Sequence, residues 1–151
     1  GRSGEIIPTV KGQDRDLTLS EILAAMAKNR DQSEVQCSAL VALLFRSCNV
    51  REMCTEQVRD IIAGTMTRHS TSAAVQICGC LVLINAILCD TSLPISSTVV
   101  SAIASAFQQH NGNEWARTAS LGALAALALW GDDAVMRQIA AEQVGGDVVA
   151  V

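Results

Sequence analysis

Six cysteines, at positions 37, 48, 54, 78, 80 and 89, and two histidines, His69 and His110, are the side chains of this sequence best suited to nucleophilic, redox or metal chemistry. Their spacing argues against all three. Structural zinc needs four thiolate or imidazole ligands, usually offered as pairs two to four residues apart. Cys78-Gly79-Cys80 leaves a one-residue gap, and no second Cys or His pair completes it. A Cys–His nucleophile would need a base within hydrogen-bond reach. Both histidines instead fall near predicted helix C-termini, where an imidazole interacts well with the helix dipole. Gly145-Gly146 is not followed by a lysine, so no phosphate-cradling loop is present. No carboxylate pair stands at helical spacing on an apolar face. The sequence therefore predicts no catalytic residue, no metal and no cofactor. The cysteines have apolar, helical neighbours rather than the turn-rich setting of a disulfide scaffold. They read as reduced, mostly buried thiols of a cytoplasmic protein.

The elements carrying these residues are helices. Of 151 residues, 50% are hydrophobic, yet only two Phe, two Trp and no Tyr occur. Ala, Val, Leu, Ile and Cys must fill the core, which suits helix packed on helix. Pro8 and Pro94 are the only prolines, leaving long spans uninterrupted. The formal charge of −4 disfavours nucleic acid, whose affinity rests on cationic contacts to phosphate. It equally disfavours a basic membrane-surface helix. The longest apolar runs, Ile77 to Cys89 and Ala119 to Trp130, fall short of the roughly 20 residues that span a bilayer.

Residues 1–16 lack periodicity and read as a flexible N-terminal tail. From Leu17 the chain resolves into periodic segments. Thr18 or Ser20 can cap a helix with Leu19, Ile22, Leu23 and Met26 on one face. Predicted helices follow from Glu34 to Ser47, Val58 to His69, Ala74 to Cys89, Val99 to His110, Glu114 to Trp130 and Ala134 to Gln143. Short segments at Asn49 to Glu56 and Asp90 to Ser97 precede two of the long pairs. A last helix opens at Val144 to Val149.

The segments repeat. Val35-Gln36-Cys37-Ser38-Ala39-Leu40-Val41-Ala42-Leu43 returns forty residues later as Val75-Gln76-Ile77-Cys78-Gly79-Cys80-Leu81-Val82-Leu83. Met26, Met66 and Phe107 match at steps of 40 and 41, as do Asn29, His69 and His110, and Gln36, Gln76 and Arg117. The last trio reads as solvated. Leu40, Cys80 and Leu121, with Leu43, Leu83 and Leu124, should point into the core. A period near 41 excludes the tetratricopeptide repeat, which needs about 34 residues. It fits a right-handed stack in which no unit buries its faces alone.

The run Val75-Gln76-Ile77-Cys78-Gly79-Cys80-Leu81-Val82-Leu83-Ile84-Asn85 resembles the third helix of the armadillo family, including its terminal Asn. The short-long-long order of segments is similar to that family's three-helix unit. The resemblance implies an all-α, right-handed α-solenoid of about three armadillo-like repeats over residues 17–151, truncated in its last repeat. It also implies a non-catalytic protein–protein interaction scaffold whose third helices line a concave groove. Residues four apart form a stripe on a helix, so the partner-binding stripes would be Cys37, Val41 and Phe45; Ile77, Leu81 and Asn85; and Thr118, Gly122 and Ala126. The family's peptide-gripping members carry a Trp four positions before the Asn. Here Val41, Leu81 and Gly122 stand in its place, and Phe45 and Ala126 replace two of the three Asn. The implied groove is smooth and apolar, suited to a partner helix or folded surface rather than a basic peptide.

Between Ser70 and Asn113 the sole charged residue is Asp90. Interface centres are depleted of charge, so this band also points to other proteins as partners, with no nucleic acid and no membrane. Neither end carries an evident polar capping repeat, so self-association through uncapped ends is a further expectation. The alternative reading is an architectural unit of a large cytoskeletal or ciliary assembly.

Overall fold

Six of the seven described helices start at a capping residue. In the computed structural model, which describes residues 17–46 and 51–142, the Thr18 hydroxyl accepts from the Glu21 backbone N–H while the Glu21 carboxylate accepts from the Thr18 N–H. This reciprocal box satisfies two of the amides that a helix leaves unpaired at its N-terminus. It opens α1, Leu19–Lys28. Thr55, Ser72, Ser96, Asn113 and Asp132 each accept a backbone N–H three residues on. They open α3 (Glu56–Arg68), α4 (Ala73–Cys89), α5 (Ser97–Gln109), α6 (Glu114–Trp130) and α7 (Asp133–Ala141). α2 spans Ser33–Arg46. Among the described residues there are seven α-helices and no strand. The tail over residues 1–16, the helix expected from Val144, and Cys48 lie outside the described residues.

Two rows of helices share one core. α2, α4 and α6 lie against one another in that order, and α3, α5 and α7 do the same. The rows meet where α1 packs on α2, α3 on α4, and α5 on α6. Leu40, Leu43, Leu83, Ile87, Ile62, Ile103 and Leu127 are fully buried between them. Gly79 permits the close crossing of α3 and α4. A Cβ there would stand 2.5 Å from Met66 Cγ and 2.6 Å from its Sδ.

The short helix expected at the head of each unit is not a regular element. It is a single 3-10 turn at Arg51–Met53, and the corresponding stretch from residue 90 to 96 is helix-free. Pro94 contributes no backbone donor and biases Leu93 away from helical geometry. The repeating element is therefore a pair of helices.

Side chains lock the helices of a pair together and key one pair to the next. Gln36 Nε2 donates to Met26 O at 3.0 Å and Asn29 O at 2.7 Å; Gln76 Nε2 donates to Met66 O at 3.0 Å and His69 O at 2.9 Å. Both glutamines are buried, which corrects the expectation that they are solvated. A helix leaves its last carbonyls without partners, and these amides supply them. Arg117 breaks the series: it is exposed and bonds Asn111 O. The histidines carry the second link. His69 Nε2 lies 2.6 Å from Arg30 O and His110 Nε2 lies 2.6 Å from Ser70 O. A carbonyl only accepts, so each ring nitrogen is the protonated donor.

Arg59 joins α3 to the end of α4. Its guanidinium is 1% exposed and donates to Ala86 O at 3.1 Å, Asp90 O at 2.9 Å and Pro94 O at 3.4 Å. Burial pulls its pKa down, and the Asp90, Glu56 and Asp60 carboxylates oppose that shift.

Candidate interaction face

The outer face of the α2–α4–α6 row carries most of the predicted stripes. On α2, Cys37 is half-buried, Val41 is exposed and Phe45 is 78% exposed. On α4, Ile77, Leu81 and Asn85 are all half-buried, flanked by α2 and α6. On α6, Thr118 and Gly122 are exposed. Ile84 Cδ1 would lie 3.3 Å from a Cβ at Gly122, so α4 and α6 meet closely there.

Two predicted positions sit elsewhere. Ala126 is 5% exposed and belongs to the core, not the face. Leu121, expected in the core, is 39% exposed. The first follows from helix geometry: a stripe taken every four residues rotates about 40° per step and about 80° by its third member. On α6, which packs on α4, α5 and α7, that drift turns Ala126 into the core, whereas α2 packs on α1 and α4 and leaves Phe45 outside. The second follows from packing order. α4 lies against the α2 helix of Leu40, and α6 against the α4 helix of Cys80, whereas no described helix follows α6 in the row.

Sequence reasoning missed residues that enlarge the face. Trp115 is 76% exposed and Leu129 74%, both on α6, and Leu88 and Trp130 are also exposed. Their signal was available, because α6 is apolar at nearly every position after Arg117 and one neighbouring row cannot bury the whole circumference. α4 and α5 contain no charged residue. Scattered exposed apolar side chains are ordinary, whereas large contiguous apolar patches are uncommon on monomers.

Among the described thiols, Cys78 and Cys80 are held in the protonated form. Cys78 is hydrogen-bonded to Cys37, one helix to the next. Its pKa is raised to about 11, first by burial and then by the neighbouring Cys37. Burial alone raises Cys80 to about 12. The thiolate is the nucleophilic form, so both are poor nucleophiles near neutral pH. Cys54 and Cys89 are joined as a disulfide, with Cα atoms 5.8 Å apart. This corrects the expectation that the cysteines are uniformly reduced. The pairing was illegible because 35 residues separate the partners, and only the packing of α3 on α4 brings them together. Among the described residues no group of three or more His, Cys, Asp or Glu side chains could hold a metal ion. None of the described helices is long and apolar enough to cross a membrane. No protein-family model, no curated protein and no solved structure matches the chain.

Proposed function

We propose that this chain is a non-catalytic protein-interaction module, a short right-handed α-solenoid whose helix pairs stand where the armadillo class has three helices, which offers the α2–α4–α6 face to a partner protein. One observation carries the reading: that face is apolar and nearly charge-free, yet Val41, Phe45, Leu88, Trp115 and Leu129 remain exposed on its helices. The repeated glutamine and histidine bonds support the solenoid, because the glutamines fix α1 on α2 and α3 on α4 while the histidines tie each of two pairs to the one before it. The partner surface is an apolar helix face or a folded patch of matching shape.

The test compares proteins retained from source-cell extract by the wild type, by Val41→Glu/Phe45→Glu, and by Gln57→Glu on the opposite row. Circular dichroism checks that all three keep their helical content. Loss of the same partners from the double variant alone supports the reading. Retention by all three overturns it and favours the architectural alternative.

A further inference from the structure

The second row is not evenly packed. α3 lies against α5, but α1 and α3 scarcely touch. A groove of about 360 Å³ opens between them. Leu23 and Met26 of α1 and Ile61 of α3 form its apolar lining. Gly64 is exposed beside them and adds no side chain; a Cβ there would meet nothing within 4 Å.

The two ends of the groove carry opposite charge. Arg68, the last residue of α3, stands at one end with Arg30, just beyond α1. Arg68 is paired with Asp31, its Nε 2.8 Å from Asp31 Oδ1. Arg30 is exposed and has no ion-pair partner among the described residues. Nearer the N-terminus of α3 stands Asp60, also exposed, which accepts from Ser96 Oγ at 2.7 Å through one of its carboxylate oxygens. A fitting occupant therefore has an acidic group at the Arg30 end, an apolar middle and a basic group at the Asp60 end.

Size and charge together narrow the class. From Asp60 to Arg68 the α3 backbone rises about 12 Å. A helix of that length, about 10 Å across, would fill roughly 900 Å³, which the groove does not offer. An extended chain covers the same distance in about four residues, at about 3.3 Å each. Its side chains alternate between faces, so residues i, i+2 and i+4 look the same way. An alkyl carboxylate could satisfy Arg30, but its apolar end would lie against the Asp60 carboxylate, whose desolvation is costly. A peptide strand meets all three requirements at alternate positions. We infer that the α1–α3 groove binds a short extended segment of another protein, in the order acid-x-apolar-x-base. The acid meets Arg30, the apolar residue lies on Leu23, Met26 and Ile61, and the base meets Asp60. This site is separate from the α2–α4–α6 face and does not depend on it.

An NMR titration of the full chain with the capped peptide Glu-Leu-Val-Leu-Lys tests this. Amide shifts should centre on Met26, Ile61 and Gly64 and saturate by about 1 mM, the weak end expected for so small a contact. The peptide Glu-Leu-Val-Leu-Glu should bind about threefold more weakly, the scale of an exposed ion pair. Asp60→Lys should reverse that preference. Gly64→Trp, whose ring would fill the groove, should abolish the shifts; should that variant fold poorly, the reversal by Asp60→Lys decides alone. The absence of saturable shifts in the wild type, shifts centred on the α2–α4–α6 face, or a preference that Asp60→Lys leaves unchanged would each overturn the inference. Equal binding of decanoate would overturn it in favour of a small amphiphilic carboxylate. Groove shifts that appear with rising protein concentration alone would overturn it in favour of a second copy.

Discussion

Gln36 and Gln76, forty residues apart, make the same pair of bonds. Each buried side-chain amide closes the carbonyl end of the helix before its own, through a residue ten positions back and another seven positions back. Two such bonds per glutamine hold α1 against α2 and α3 against α4 in a fixed register.

Gln76→Leu keeps the volume and removes both bonds, leaving Met66 O and His69 O with a lost partner. An unsatisfied buried polar group costs about 1–3 kcal/mol. We expect urea unfolding to show a lower midpoint and an unchanged slope, with Arg117→Leu on exposed α6 nearly neutral.

Two glycines should respond in opposite directions to alanine. At Gly64 the space is open and the helix is exposed, so Gly64→Ala should stabilise by about 0.5–1 kcal/mol through backbone entropy. At Gly79 a methyl group would collide with buried Met66, and overpacking typically costs about 1–3 kcal/mol. Thermal melts of both variants check the pair, and Gly79→Ala/Met66→Ala should relieve the collision.

Alkaline pH should weaken the fold through Cys80. Its folded pKa of about 12 lies above the ordinary value of 9.0, so the folded state holds its proton longer than the unfolded state does. The stability it confers is complete below pH 9 and is lost as pH climbs from there toward 12. Denaturation midpoints between pH 8 and 11 should fall less steeply in Cys80→Ala than in the wild type. Alkylation of native Cys80 at pH 7 should be negligible.

The Cys54–Cys89 bond closes a loop over a separation of 35 residues. The chain-entropy relation assigns such a loop about 2–4 kcal/mol. Peptide mapping without reduction should recover the two half-cystines together. Cys54→Ser/Cys89→Ser should lower the midpoint by that amount while leaving helical content intact.

Helix positions were legible because apolar periodicity and capping residues are local. Thr18, Ser72 and Asn113 each announce a helix within their own four residues. What escaped is set at longer range. Asp90 to Ser96 has the repeat position of a short helix, but Pro94 and the carbonyls claimed by Arg59 hold it otherwise. Gln36 and Gln76 looked like solvent residues because type suggests exposure, while their burial depends on a neighbouring helix end. On the candidate face, Cys37, Val41 and Phe45 lie where α2 meets solvent or α4, whereas Ala126 and Leu121 exchange places. Helical phase and the order of packing decide such exchanges, and neither is contained in a stripe of residues four apart.

The crosslink between Cys54 and Cys89 also divides the chain mechanically. It encloses α3 and α4, so a pull on the two ends of an oxidised molecule bypasses that pair. The load passes from residue 54 to residue 89 through sulfur, and roughly 120 Å of potential extension stays withheld at about 3.4 Å per residue. The flanking pairs can yield one by one while the centre keeps its length. Reduction would release that slack, so the compliance of the molecule is set by thiol chemistry at a single link.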